Sequence, residues 1–253
     1  MNGDSVTTRQ LAVVILAAGK GKRMNNPEKA KVMFELDGKP MIDYVVKTAR
    51  SLQPKKIIIV VGWQRESVVE HISSKFPGVE FVEQPEQLGT GHAVLQTKSQ
   101  LDDFKGDVLV LSGDVPALKE QTAGALIGFH RMSEASATIF TAGLEDPSGY
   151  GRIVRNKDNS VKKIVEDKDA SKTELAIKEI NSGIYVFDKV QLFAALAKIK
   201  QNNAQGEYYL TDVFEIFWQY HWHVSAVKAL DSFEVMGINT VEQLLEIQAK
   251  LAS

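Results

Sequence analysis

Short apolar runs alternate with segments of helical periodicity through the first half of the chain. The first three runs, residues 11–16, 56–61 and 108–111, are nearly unbroken in apolar or β-branched residues. Strands that are covered on both faces of a parallel sheet have this composition, because neither face meets water. The alternation therefore predicts an α/β fold with a doubly wound, Rossmann-like sheet.

Helices are predicted between these strands. In residues 41–52, apolar side chains recur at spacings of three and four, as on the buried face of a helix. The other predicted helices are 64–75, 91–101, 119–132, 190–199 and 241–251, and the later strands are 137–142, 152–155, 161–166, 183–187 and 224–227. After residue 144 the alternation becomes mixed. We therefore expect a tail at 1–10 and a single domain at 11–253, in which a first half (about 11–144) is followed by a mixed lobe (about 145–230) and a closing helix (231–253).

The composition excludes several classes of function. A net charge of −2 leaves no basic field for nucleic acid or an anionic membrane. The chain has no cysteine, so disulfides and thiolate-ligated metals are excluded. No apolar run approaches the roughly 20 residues that span a bilayer, and no signal sequence is recognised at the beginning. These features predict a cytoplasmic protein.

The first strand leads into a glycine-containing loop, residues 16–24, where small residues allow backbone N–H groups to approach a phosphate. Cations follow closely, at Lys20, Lys22, Arg23, Lys29 and Lys31. A dinucleotide site is excluded because Met24 stands where the third glycine of its fingerprint is needed, and no P-loop pattern occurs. The loop is predicted to bind a polyphosphate. A solvated surface loop is the alternative that spacing alone leaves open.

Three further residues have both a functional and a structural interpretation. Asp114 follows a buried strand, where a carboxylate opens onto the ligand crevice and suits Mg²⁺, but an aspartate before a proline-containing turn is also a common cap. Thr90 stands between two glycines and either meets a ligand or caps a helix. Asn239 precedes the last helix, and Asn239 or Thr240 is equally suited to cap it.

Taken together, these segments resemble the uridyltransferase domains of bacterial N-acetylglucosamine-1-phosphate uridyltransferases, within the sugar-nucleotidyltransferase superfamily. The resemblance is close to collinear from residue 11 to about 251. The loop at 16–24 and the turn at 113–116 are shared by the whole superfamily. The strings QLGTGHA (87–93), GYGRI (149–153) and NNAQGEYYLTD (202–212) are particular to the N-acetylglucosamine branch. The resemblance implies a mixed sheet of the nucleotide-diphospho-sugar transferase type with a small sugar-binding lobe.

The resemblance also implies a reaction, the Mg²⁺-dependent transfer of UMP from UTP to N-acetyl-α-D-glucosamine 1-phosphate. The products are pyrophosphate and UDP-GlcNAc, a cell wall precursor. Two alternatives are the same chemistry on another sugar 1-phosphate, glucose or GalNAc, and a non-catalytic module that binds sugar nucleotides. The implied partners are the two substrates, without nucleic acid or membrane, and the implied state is a monomer or weak homo-oligomer.

Roles for individual residues follow from the same resemblance. Arg23 and Lys31 would hold the triphosphate and offset charge at the attacked phosphorus. Asp114 and Asn239 would hold Mg²⁺. The uracil would be read by Ala17, Ala18, Gly19, Gln84, Gln87 and Gly89. The sugar would be bound by Thr90, Gly151, Glu166 and Asn181. No protein nucleophile is implied, because the sugar phosphate supplies its own anionic oxygen.

Three residues depart from the family's pattern: Lys22 replaces a usual threonine, Ala30 a proline and Ser182 a threonine. None of these changes removes a charged group, so we expect effects on loop rigidity and rate rather than loss of activity. Many family members continue into a β-helix of hexapeptide repeats that acetylates glucosamine 1-phosphate and forms trimers. This sequence contains no such repeats, so that second activity and that route to a trimer are expected to be absent.

Overall fold

The structure is a computed structural model that describes residues 9–24, 26 and 28–251. Its strands are β1 Gln10–Ala17, β2 Glu35–Leu36, β3 Lys39–Pro40, β4 Lys56–Val61, β5 Glu80–Glu83, β6 Gly106–Ser112, β7 Ala137–Gly143, β8 Arg152–Arg155, β9 Val161–Val165, β10 Glu179–Asp188 and β11 Val224–Lys228. Its helices are α1 Met41–Ser51, α2 Arg65–Lys75, α3 Thr90–Leu95, α4 Glu120–Met132, α5 Lys172–Leu175, α6 Lys189–Leu196, α7 Val213–Gln219 and α8 Val241–Leu251. The predicted tail at 1–10 lies outside the described residues, apart from its last two positions.

Nine of the strands form one mixed sheet, and β2 pairs with β3 in a separate hairpin. The main order is β11-β7-β10-β6-β1-β4-β5; off this path, β8 pairs with β10 and β9 pairs with β8. Strands β5, β4, β1 and β6 are all parallel, whereas β10 runs antiparallel to both β6 and β7. The carboxyl ends of the four parallel strands and the amino end of β10 therefore lie at the same edge of the sheet.

Alternate residues of β1 pack into two separate cores. Val13 and Ile15 belong to a cluster that includes residues of α1, α2 and α4, whereas Ala12 and Val14 belong to one that includes residues of α3, α6 and α7. All four side chains are fully buried, as expected for a parallel strand covered on both faces. The fold class predicted from the alternation is confirmed.

A third core lies beneath the last helix. Met24 and Leu36 pack there with Ile238 and Ile247, and all four are buried. This cluster joins the end of the glycine-containing loop to the segment that enters α8. It also gives a physical reason for Met24, because a glycine at that position would leave a cavity in this core.

The element predictions are wrong in a few places. β5 was not predicted, because this strand has only four residues, begins and ends with a glutamate, and is partly exposed at the edge of the sheet. The helix expected at 91–101 is α3 followed by a 3-10 helix, Gln96–Leu101. β10 begins four residues earlier than expected, at Glu179, because a bulge around Gly183 interrupts its pattern.

The proposed division at residues 144 and 230 stays a prediction. From that range, β10 and β11 pair within the central sheet, while β8 and β9 extend from β10. Among the described residues, none of the helices is both long and apolar enough to cross a membrane.

Candidate active site

The predicted nucleotide residues gather where the parallel strands end. Ala17 closes β1, Gln84 follows β5, and Asp114 lies two residues beyond β6. They line a cavity of about 320 Å³. Its lining includes the predicted residues Ala17, Ala18, Gly19, Lys31, Gln84, Gln87, Gly89, Thr90 and Asp114. Distant segments of sequence thus meet at one edge, as a topology of parallel neighbours requires.

A second cavity of about 200 Å³ adjoins the first, because Leu16, Thr90 and Ser112 line both. This cavity contains the predicted sugar residues Gly151, Glu166 and Asn181. The predicted residues that line these two cavities therefore lie along one continuous cleft, whereas Arg23 and Asn239 line neither cavity. We call its two parts the nucleotide end and the sugar end.

At the nucleotide end, Lys31 bonds to both predicted metal ligands. Its Nζ forms an ion pair with Asp114 Oδ2 and donates to Asn239 Oδ1 at 2.8 Å. The side chains of Lys31 and Asp114 are only 13% and 21% exposed, so solvent screens this pair less than a surface ion pair. The two side-chain oxygens converge on one ammonium from segments that are far apart in sequence.

Asn239 is free for this contact because its neighbour caps the helix. Thr240 Oγ1 accepts from the N–H of Gln243 at 3.3 Å, and Gln243 Oε1 accepts from the N–H of Thr240 at 3.2 Å. This reciprocal pair is a capping arrangement, with glutamine in the position that often carries glutamate. Of the alternatives left open by the sequence, Thr240 is the cap, and the side chain of Asn239 accepts from Lys31 instead.

Backbone bonds fix the distance between Asp114 and Asn239. The N–H of Ile238 donates to the carbonyl of Asp114 at 2.9 Å. The N–H of Gly237 donates to Tyr150 Oη at 3.1 Å, which links this segment to the GYGRI string at the sugar end. Burial raises the pKa of Tyr150, so its hydroxyl keeps its proton at neutral pH.

Two glycines in the cleft are required by close contacts. Gly21 has a φ of +59°, and a Cβ there would lie 2.8 Å from the Cβ of Lys31. Gly89 has a φ of +110°, and a Cβ would lie 2.5 Å from the carbonyl oxygen of Tyr208. Other residues rarely adopt such φ values, and the space is already filled. Gly21 thus allows the side chain of Lys31 to pack closely against the loop, and Gly89 allows the backbone of Tyr208 to do the same.

Arg23 is exposed, and no hydrogen bond or ion pair joins it to another described residue. It lies in the 3-10 helix Lys22–Met24, next to buried Met24. The side chain of Lys22 lies outside the described residues, and its effect stays a prediction. Ala30 is buried with a φ of −58°, within the range that proline fixes, so the backbone has this conformation without the proline.

The sugar end is made of paired polar groups. Thr211 Oγ1 donates to Glu166 Oε1 at 2.9 Å, and Asn181 Nδ2 donates to Tyr185 Oη at 2.7 Å. Burial raises the pKa of Glu166, and the nearby carboxylates of Asp169 and Asp167 add to this, while the Thr211 bond opposes it. Gly151 leaves room beside this carboxylate, because a Cβ would lie 3.2 Å from Glu166 Oε2.

Thr90 and Ser182 hold the framework of the cleft. Thr90 Oγ1 accepts from the N–H of Leu210 at 3.0 Å, which leaves its proton available to a ligand. Ser182 Oγ donates to the carbonyl of Phe140 at 2.6 Å and accepts from the N–H of Ile184. A serine therefore satisfies this buried bulge without the methyl group of the usual threonine.

Comparison with known proteins identifies the family. The family model described as nucleotidyl transferase matches residues 12–252, nearly the whole chain. The chain belongs to the nucleotidyl transferase family. The cleft described above thus lies in a nucleotidyl transferase domain, and the resemblance inferred from the motifs is confirmed at the level of the family.

Curated relatives of this nucleotidyl transferase domain are named Bifunctional protein GlmU. The protein from Acetivibrio thermocellus is 48% identical over 236 residues, which cover 93% of this chain and 50% of the relative. The protein from Pelotomaculum thermopropionicum is 46% identical over 241 residues, covering 95% of this chain and 52% of the relative. The chain spans about half the length of the curated relatives it matches.

A solved structure of UDP-glucose pyrophosphorylase complexed with UDP-glucose has a TM-score of 0.75 to this transferase domain. The alignment covers 96% of this chain and 98% of that chain, at 18% sequence identity. At this identity the likeness shows the fold alone. It agrees with the predicted nucleotide-diphospho-sugar transferase architecture.

Several cleft residues received no individual role from the sequence. Ser112 lines both cavities, and Glu207 lines the nucleotide end. Tyr150 accepts from the N–H of Gly237, and Thr211 donates to Glu166. Three of these four lie within the GYGRI and NNAQGEYYLTD strings, so the signal was present. Ser112 lies in none of the family strings, and the sequence pattern indicates only the polar end of a buried strand there.

Proposed function

We propose that this domain transfers UMP from UTP to the phosphate of N-acetyl-α-D-glucosamine 1-phosphate, forming UDP-GlcNAc and pyrophosphate. One observation carries the proposal: a single cleft joins an end that carries the ammonium of Lys31 to an end lined by hydrogen-bonding groups, among them Glu166 and Asn181. A nucleotide's phosphates suit the former and a sugar's hydroxyl and N-acetyl groups suit the latter. The name of the relatives that match at 44–48% identity supports the same assignment.

The chemistry needs positioning and fixed positive charge rather than a protein nucleophile. An oxygen of the sugar phosphate attacks the α-phosphorus of UTP, and the bond between that phosphorus and the bridging oxygen of pyrophosphate breaks. No proton has to move, because the attacking oxygen is already anionic at neutral pH. Arg23 and Lys31 would bind the triphosphate and offset the charge that develops on its oxygens.

The Asp114–Asn239 pair fits a magnesium ion. Its carboxylate and amide oxygens already converge on one cationic group, the ammonium of Lys31. Oxygen ligands suit a hard cation, and Mg²⁺ commonly uses one or two protein carboxylates together with substrate phosphates. When bound, the ion would neutralise phosphate charge and align the reacting groups.

The base and the sugar would be recognised by prepositioned groups. Gln84 Nε2 donates to the carbonyl of Gly89 at 3.0 Å and lies 3.1 Å from His92 Nδ1. This side chain is buried, and its amide oxygen accepts from no other described residue, which suits an N–H donor such as that of uracil. At the other end, the Glu166 carboxylate would accept from sugar hydroxyls.

The test is pyrophosphate release from UTP and Mg²⁺ with a panel of sugar 1-phosphates. We expect N-acetylglucosamine 1-phosphate to react fastest, and Asp114→Ala to abolish turnover with every sugar. Equal or faster release with glucose or GalNAc 1-phosphate would overturn the sugar assignment. Binding of UDP-GlcNAc without release from any sugar would instead favour a non-catalytic module.

A further inference from the structure

The ammonium of Lys31 bonds to the same two oxygens that are proposed to hold the metal. It contacts Asp114 Oδ2 and lies 2.8 Å from Asn239 Oδ1. A divalent cation bonded to these oxygens would compete with the ammonium for the same space, and the two positive charges would repel each other strongly at this range. The pair is therefore able to hold either Lys31 or a metal ion.

The protein offers the metal little else. In the part of the chain that the structure describes, no group of three or more His, Cys, Asp or Glu side chains is arranged to hold an ion. One carboxylate and one amide leave most of an octahedral shell to be completed by phosphate oxygens or waters. Metal binding at this pair is thus weak unless a phosphate arrives with it.

The backbone of Lys31 is held by its buried neighbours, whereas its side chain ends in a flexible stem. Its neighbours Ala30 and Val32 are buried in the core that contains Val13 and Ile15, and its Cβ lies against Gly21. Beyond the Cβ, the flexible four-carbon stem ends in three donors that suit phosphate as well as carboxylate. Gly21 belongs to the loop predicted to meet the polyphosphate, so this loop and the lysine are in direct contact.

We propose that Lys31 acts as an internal cation that occupies the metal position until the phosphates of the nucleotide draw it away. Metal alone then has to expel an ammonium, whereas metal together with a nucleotide exchanges places with it. By linkage, removing Lys31 strengthens binding of the metal alone. The inference rests on the proposed function only in taking Asp114 and Asn239 as the metal ligands.

The experiment titrates Mn²⁺ alone into the nucleotide-free protein and follows free Mn²⁺ by electron paramagnetic resonance. Lys31→Met keeps the length of the stem and removes the charge, and we expect it to bind Mn²⁺ about tenfold more tightly than the unsubstituted protein. Lys31→Arg retains a cation and is expected to leave the affinity unchanged. In the double variant Lys31→Met/Asp114→Asn, the gain disappears if the ion binds at this pair.

Lys29→Met is the matched control, since it removes a lysine two residues away whose Nζ lies 3.3 Å from Glu35 Oε1. An equal gain in Lys29→Met would show a general charge effect and overturn the proposal. So would equal Mn²⁺ affinity in Lys31→Met and the unsubstituted protein. Thermal unfolding checks that each variant is folded, and Lys31→Gln replaces Lys31→Met if the latter is not. No sugar or nucleotide is present, so failure of the proposed reaction would leave this result unaffected.

Discussion

The two ends of the cleft are built in opposite ways. At the nucleotide end the chemical groups are charges, because Lys31 pairs with Asp114. The glycine-containing loop also carries Arg23, which is exposed and without a partner among the described residues. At the sugar end they are fixed hydrogen bonds, Thr211 to Glu166 and Asn181 to Tyr185. Charges act on any phosphate, whereas fixed bonds distinguish one hydroxyl arrangement from another. We therefore expect the first end to set the class of reaction and the second to set the substrate.

After the loss of turnover expected from Asp114→Ala, the next largest effect is expected from Arg23→Ala, in the glycine-containing loop. By analogy with the removal of one preorganised donor, this change should cost about 2–4 kcal/mol of transition-state stabilisation and lower the turnover number with every sugar 1-phosphate. Steady-state pyrophosphate release with varied UTP measures this. Arg50→Ala, an exposed arginine on α1, is the control and should leave the rate unchanged. A rise in KM for UTP at constant turnover would show that Arg23 binds only the ground state, and the contrast between the two ends would weaken.

A smaller and more selective effect is expected at the sugar end, from Thr211→Val. This nearly isosteric change removes the donor to Glu166. We expect KM for the sugar phosphate to rise by a factor that corresponds to about 1 kcal/mol of binding free energy, while KM for UTP stays constant. In the unsubstituted protein, the bond from Thr211 lowers the pKa of Glu166. The pKa of Glu166 therefore rises in the variant, which lacks this bond. Because the ionised carboxylate is the acceptor, activity should now be lost at a higher pH as the solution is acidified. Thr173→Val, an exposed residue of α5, should move neither quantity.

An equal rise in KM for both substrates after Thr211→Val would contradict the separation of roles. It would mean that the 3-10 helix Leu210–Asp212 supports the whole cleft, since Leu210 also bonds to Thr90. The pH profile distinguishes these cases, because a general loosening does not move the acid limb in a defined direction.

The same contrast explains what the sequence could predict. Residues 16–24 and Asp114 each follow a buried strand directly, so local pattern and the geometry of parallel strands were enough to suggest a phosphate and metal site. The sugar residues come from β8, β9 and β10, and only the family resemblance brought them together. Contacts such as Gly237 with Tyr150 join residues 87 apart, and no local periodicity encodes them.

Asn239 illustrates the limit most clearly. A local rule made Asn239 or Thr240 the helix cap, and only the family resemblance made Asn239 a metal ligand. The choice depended on whether Gln243 would complete a cap at Thr240. That decision is made by packing, because Ile238 and Ile247 fix α8 against the third core. The fold class needed only the alternation of apolar runs, whereas this side chain needed the tertiary structure.

The smallest effect is expected from Asp212→Asn, on stability rather than rate. Burial raises the pKa of Asp212 from 3.8 to about 6, and the carboxylates of Glu215, Glu166 and Asp169 add to this. The folded state therefore favours the protonated acid: its contribution to stability is complete below about pH 4 and is lost as the pH rises through about 6. The always neutral asparagine should make the protein more stable at about pH 8, by about 1 kcal/mol once the shift is discounted for partial exposure, and the gain should vanish at about pH 4. Urea unfolding at both pH values measures the difference.

Asp158→Asn is the opposite control. Bonds from Ser160 lower the pKa of this exposed carboxyl, so its loss should destabilise the protein at the higher pH. An equal gain from Asp212→Asn at both pH values would mean that burial and the neighbouring carboxylates do not raise the pKa of Asp212 in the folded protein.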